Sequence, residues 1–252
     1  VHGLQSASAD FDKIHHVGLD APEEDYLSLL PVGGCFILLL AFPFSTQLQQ
    51  LGRLKTMPSQ HRARLLDFYE RAIQRHLYCH PGKRFLSKNA AFSSWAGALR
   101  TPFADAKFLI CIRDPASALS SQLSSLASAR QTFGTDPDGT HTAKQFTELY
   151  AHSYQALAEF LSEASPDQVA LIEQSDLKEK TAGTIRAALR QLGYPISGDL
   201  ETTLQQLESN HSSDHQHQPS DFLIDSDPIE HSMKPAYEEM LRSPNRSQPT
   251  AH

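Results

Sequence analysis

A chain of 252 residues, 40% of them hydrophobic, can bury one sizeable core and needs no second domain. Its formal net charge of −7 argues against general nucleic-acid binding, which shows as a basic face or stripe, but is compatible with a local anion site. The longest apolar run, Cys35 to Phe42, is far shorter than the roughly 20 residues of a membrane span, and no cleavable signal pattern opens the sequence.

In chain order, Glu23, Glu24 and Asp25 follow Pro22 as an acidic cluster suited to the first turn of a helix. Gln60 to Leu77 carries Leu65, Leu66, Phe68, Tyr69, Ile73 and Leu77 at helical spacing, with Arg62, Arg64, Arg71 and Arg75 as a solvated face. Phe85 to Ser87 is expected as a short strand ending at Lys88-Asn89. A helical stretch from Ala90 to Leu99 follows, with Thr101-Pro102 as a breaker. Phe108 to Ile112 is a continuous apolar run of the kind found in parallel strands covered on both faces. Asp114 suits an N-cap and Pro115 the first helical position, so a helix is expected to begin at once. On that helix Ala118, Leu119, Leu123 and Leu126 share one face and Ser117, Ser120, Ser121 and Ser124 the opposite one.

Gly134 to Thr142 reads as a loop placed to contribute to a lid, and Thr142 to Ser162 as an amphipathic helix. Val169 to Ile172 is a last short strand, followed by a helix from Asp176-Leu177 to Leu192, with Gly193 just past its end. His211, His215 and His217 lack the cysteine or carboxylate framework of a zinc site, so no metal is expected there and the polar stretch from Ser209 reads as flexible. Asp227 to Leu241 is a terminal helix and Ser243 to His252 a disordered tail, giving an α/β domain over 1–242 and a tail over 243–252. Cys35, Cys79 and Cys111 are odd in number and widely spaced, and read as reduced core thiols in a cytoplasmic setting.

Arg113 is the residue with the clearest chemistry. It falls at the carboxyl end of a parallel strand, where ligands of open α/β sheets lie and where helix N-termini offer free N–H groups to phosphate or sulfate. Its planar guanidinium can hold a phosphate through two parallel charge-assisted hydrogen bonds.

The run FLSKNAAFSSWAGALRTPFADAKFLICIRDPASALSSQLSSL resembles the sulfotransferases that use 3′-phosphoadenosine 5′-phosphosulfate (PAPS), especially the branch with a Lys-Asn-Pro strand end and an arginine-aspartate-proline block followed by a serine. HHVGLDAPEEDYLSLLP and IEQSDLKEKTAGTIRAALRQLGY resemble further blocks of that branch, so the likeness runs from about His15 to Leu241. It implies a P-loop-like parallel sheet and sulfuryl transfer from PAPS, leaving 3′-phosphoadenosine 5′-phosphate, to a hydroxyl or amine of a small-molecule or carbohydrate acceptor. No metal is implied. Arg113 and Ser121, eight positions on, match the residues that bind the donor's 3′-phosphate. Lys88 would neutralise the bridging oxygen as it leaves. His15, His16, Glu23, Glu24 and Asp25 are the candidates for the base that takes the acceptor's proton.

The sequence departs from the pattern at Ala90, in place of the proline, and at Phe92, where the branch often carries histidine. The P-x-S-G-T-T-like turn that holds the 5′-phosphosulfate is also missing. Gly33-Gly34, the one glycine pair, has no Lys-Ser or Lys-Thr after it, and Val1 is not an initiator methionine, so the first strand and its loop are expected to have been truncated. Without that loop, weak nucleotide binding and little turnover are expected, since sulfuryl transfer depends on positioning and charge neutralisation. An open sheet edge would favour a homodimer. Two other readings remain: a non-catalytic remnant of the fold, and a nucleotide-dependent phosphotransferase, which would need a Walker-type loop that this sequence does not show.

Overall fold

The structure, a computed structural model, describes residues 24–209 and 224–247. Its first half is built from short helical turns wrapped around one long helix, α1 (Ser59–Cys79). The turns include 3-10 segments at Asp25–Val32, Gln50–Thr56 and Ala90–Trp95 and single α-turns at Leu38–Ala41, Thr46–Gln49 and Ala96–Leu99. Gly33 ends the first of them in the left-handed conformation, φ 71°, which an L side chain resists. At Gly34 a Cβ would lie 2.9 Å from Leu65 and 3.0 Å from Leu29. The glycine pair therefore serves a tight crossing beneath α1.

α1 buries Leu65, Tyr69 and Ile73, one turn apart, as their spacing predicts. Of the four arginines on this helix, Arg64, Arg71 and Arg75 face solvent. Arg62 instead turns back to donate to the carbonyls of Leu54 (3.4 Å) and Lys55 (3.2 Å), closing the end of the preceding 3-10 segment. At the centre of this helical core, Trp95 stacks on Phe92 with centroids 4.5 Å apart, and its indole N–H donates to the Leu51 carbonyl at 2.6 Å.

The second half contains the sheet, made of β1 (Phe108–Ile112) and β2 (Val169–Glu173) paired in parallel, with Phe108 opposite Val169 and Ile112 opposite Glu173. The crossover is α2 (Pro115–Phe133) and α3 (Thr140–Glu163), and the chain continues through α4 (Gln174–Glu179), α5 (Thr181–Gln191) and α6 (Gly198–Ser209). A π-turn at Ile229–Met233 leads into α7 (Lys234–Leu241). Ile110, Ile112, Val169 and Leu171 form the core face, packed with Leu119, Leu123, Leu157, Met233 and Met240. The other face of β2, Ala170 and Ile172, is covered by Ala188 and Leu192 at the end of α5. The fold is thus α/β and helix-rich, with a small parallel sheet.

The structure corrects several expectations. Phe85 to Ser87 is extended but joins no ladder among the described residues, because Ser87 and Asn89 bind a carboxylate instead and Leu86 is 89% exposed. Among the described residues, β1 is covered on one face only. α5 reaches over β2 but leaves Leu109 (45% exposed) and Cys111 open, so Cys111 is not a core thiol; Cys79 is exposed too, and only Cys35 is buried.

The turn after α2 is not a loose lid. Arg130 is buried and donates to the Asp136 carbonyl at 3.1 Å, while the Asp136 carboxylate accepts from the Thr142 amide (2.7 Å) and hydroxyl (2.5 Å). Gly139, at φ 76°, lies so close to Arg130 that a Cβ would meet its guanidinium at 2.2 Å. The expected helix from Asp176 to Leu192 breaks at Lys180, leaving α4 and α5.

The expected tail also differs over Ser243 to Ser247. This segment lies along the outer edge of β2, with Leu171 N–H donating to the Asn245 carbonyl and Ser247 N–H to the Leu171 carbonyl, both at 2.8 Å. Asn245 is fully buried, its amide donating to the carbonyls of Leu161 (2.9 Å) and Ala164 (3.2 Å).

Candidate functional site

The end of β1 and the start of α2 form as the sequence predicts. Asp114 is the N-cap, its Oδ1 accepting from the Ser117 amide at 2.9 Å, and Pro115 opens the helix, where it forfeits no intrahelical bond. Leu119 and Leu123 anchor α2 to the core, leaving Ser117, Ser120 and Ser121 half-buried on its flanks. Ser117 and Ser121 are four residues apart on α2 and so share one line of its surface, while Arg113 precedes the Asp114 cap.

Arg113 is half-buried, and its guanidinium pairs with no carboxylate among the described residues. The other arginine near the strand ends is already neutralised: Arg246 donates to Glu173 (2.8 Å) and Asp176 (3.2 Å). Of these two cations, Arg113 is the one with charge left for an anion, and it lies beside the N-terminus of α2, where Asp114 caps the Ser117 amide.

Three tyrosines unnoticed in the sequence surround this junction. Tyr154 of α3 donates to the main-chain carbonyl of Arg113 at 2.6 Å. Tyr150, one turn earlier, donates to Gln122 Oε1 at 3.3 Å, beside Ser121. Tyr237 of α7 donates to Glu173 Oε1 at 2.5 Å. The rings run in series, Tyr150 to Tyr154 at 6.5 Å and Tyr154 to Tyr237 at 6.4 Å. Burial pushes the Tyr150 phenol up to about 12, with Glu24 adding to the rise and Arg113 opposing it. It therefore remains a neutral donor at neutral pH. Burial raises Tyr154 and Tyr237 further. The only sequence signal for the first two was their i, i+4 spacing on an amphipathic helix, which reads equally well as core packing.

The charges of Glu24 and Arg113 both act on the Tyr150 phenol, in opposite directions. Glu24 pairs with Lys88 at 3.8 Å; the lysine is 65% and the glutamate 26% exposed. The structure thus pairs Lys88 with Glu24, and the charge of Glu24 is felt at Tyr150. Asp25 is not available as a base. Its carboxylate accepts from Tyr69, Ser87 (3.0 Å) and Asn89 (3.0 Å), tying the first 3-10 segment to α1 and to the extended Lys88 segment. His15, His16, Glu23, His211, His215 and His217 lie outside the described residues. Among the described residues no group of three or more histidines, cysteines or carboxylates is arranged to hold a metal ion, and no helix is long and apolar enough to cross a membrane.

No curated protein and no solved structure matches the chain. A family profile described as "Sulfotransferase family" does match, over residues 45–198. That span takes in the Lys88 segment, both strands, the Arg113 junction and the helix that carries Tyr150 and Tyr154, but not the one that carries Tyr237. With more than half of its length so matched, on the same elements that assemble an open arginine at a strand end, the chain belongs to the sulfotransferase family.

Proposed function

We propose that the protein binds PAPS, with Arg113 and Ser121 on the donor's 3′-phosphate, and transfers its sulfuryl group to a hydroxyl or amine of a small-molecule or carbohydrate acceptor. The observation that carries this reading is Arg113 itself, an arginine at the carboxyl end of a parallel strand, without an ion-pair partner among the described residues, beside the N-terminus of a capped helix. A phosphomonoester suits that setting because the guanidinium can offer two parallel hydrogen bonds and the helix start supplies further donors.

In the transfer, the acceptor oxygen or nitrogen attacks sulfur, the bridging S–O bond breaks, and 3′-phosphoadenosine 5′-phosphate departs with the bonding pair. Lys88 is suited to neutralise charge on that leaving oxygen. Glu24, paired with it, is the base we assign for the acceptor's proton, a reading supported by that pairing. Glu23 and His16 are alternative bases that lie nearby in sequence. A cytoplasmic setting fits the three unpaired thiols.

Calorimetric titration with 3′-phosphoadenosine 5′-phosphate, using adenosine 5′-monophosphate as control, tests the site apart from turnover. Selective binding of the bisphosphate is expected, and Arg113→Ala should weaken it by about 1.5–3 kcal/mol, as for a hydrogen bond to a charged group. Ser121→Ala should cost less. Equal affinity in the wild type and Arg113→Ala would overturn the assignment.

A further inference from the structure

We infer that Tyr154, supported by Tyr150, is a positioning residue for the 3′-phosphate fork: α3 grips the turn that carries Arg113 and the helix that carries Ser121, fixing the two relative to each other. This inference rests on the donor reading above.

The β1 ladder ends at Ile112 opposite Glu173, so the Arg113 carbonyl lies one residue beyond the last ladder pair and takes its bond from a side chain. It is also the last carbonyl before the Asp114 cap, so holding it fixes the peptide that joins Arg113 to α2. Tyr154 supplies the missing donor at 2.6 Å from a ring that is 7% exposed and packed into the core of the sheet half. A phenol held by packing is a stiffer anchor than a side chain reaching in from solvent, because little rotamer freedom remains to be lost.

Tyr150 repeats the arrangement one helical turn away. Its hydroxyl holds Gln122, and Gln122 directly follows Ser121 on α2. Two consecutive turns of one helix therefore hold the two sides of the anion site, and neither tyrosine needs to touch the ligand. The contact to Gln122, at 3.3 Å, is the longer and weaker of the two.

The test uses Tyr154→Phe and Tyr150→Phe, which keep the rings and remove only the hydroxyls. The readout is the ratio of affinities for 3′-phosphoadenosine 5′-phosphate and adenosine 5′-monophosphate, with thermal unfolding measured in parallel. Tyr154→Phe should weaken the bisphosphate by about three- to tenfold, the loss of one neutral hydrogen bond, and leave the monophosphate unchanged. Tyr150→Phe should weaken it by about twofold, in keeping with the longer contact. In an Arg113→Ala background, Tyr154→Phe should have no further effect on the ratio, since the residue it positions is gone.

An unchanged ratio in Tyr154→Phe, an equal loss for both nucleotides, or the same loss with Arg113 already removed would each overturn the positioning role and leave the donor site standing. A wild-type protein that does not distinguish the two nucleotides would overturn the donor reading, and the positioning role with it.

Discussion

The two halves of this protein reach a packed interior by different routes. In the first half, Leu29, Phe36, Leu51, Leu54, Phe92 and Trp95 converge from short turns onto the single amphipathic face of α1. No sheet orders them, and polar bonds such as Trp95 to the Leu51 carbonyl and Asp25 to Tyr69, Ser87 and Asn89 tie the turns together. In the second half the parallel ladder sets the frame and the helices lie against it. The first arrangement gives a scaffold that fixes where Lys88 emerges; the second gives the strand end from which Arg113 emerges. The proposed site draws on both halves, and the charge of Glu24 in the first is felt at Tyr150 in the second.

The largest expected effect tests whether the helical half stands on its aromatic centre. Trp95→Ala should destabilise the protein by about 3–5 kcal/mol, the range for emptying a large buried site, seen as a shift of the denaturant midpoint. A loss below about 1 kcal/mol would show that the turns repack without it. Removing the polar tie is expected to be milder. Asp25→Ala leaves the buried Tyr69 hydroxyl without its acceptor and should cost about 1–3 kcal/mol, while exposing the Lys88 segment to protease.

In the sheet half, Asp136→Asn should cost about 1–2 kcal/mol and change the acid limb of the stability curve. Burial alone would raise the Asp136 carboxyl, but the Thr142 hydroxyl and the amides of Thr142 and His141 hold it below its ordinary value. A lowered folded value means that the stabilisation is fully present above the unfolded value of about 3.9 and is lost as the pH falls through the folded one. Midpoints measured from pH 6 downwards should converge between wild type and variant in that acid window; parallel curves would show that the carboxylate is not the source. The smallest effect is expected on the open face of β1, where Cys111→Ser should change stability by no more than about 0.5 kcal/mol. In the native protein Cys79 and Cys111 should react with a thiol reagent and Cys35 only after unfolding. Cys111 should be the slower of the first two near neutral pH, because desolvation pushes its thiol up.

What the sequence made legible was local. The apolar run of β1, the Asp114-Pro115 cap, the buried stripe of α1 and the strand at Val169 all depend on residues within a few positions of one another, and each formed as expected. What it concealed was decided across long separations. The alternation of exposed and buried residues in β1 depends on where α5 stops, and nothing between Phe108 and Ile112 encodes that. The Phe85 segment has the composition of a strand, but its polar neighbours are engaged by Asp25, more than sixty residues earlier. At the site, Arg113 and Ser121 share one short stretch and were legible. Tyr150 and Tyr154, reaching in from the next helix, were not, since an aromatic at helical spacing is indistinguishable from a core residue until its hydroxyl finds a partner.

The strip from Ser243 to Ser247 along β2 bears on the order of assembly. β2 is flanked on one side by a strand made early in synthesis and on the other by some of the last residues described, so its outer edge stays open while most of the chain is already available to fold. During that interval Leu171 presents unpaired main-chain groups to any neighbouring nascent chain. The helical half closes over contacts that are nearer in sequence and can mature first, so it falls to residues 243–247 to cover the outer edge of β2 against mispairing.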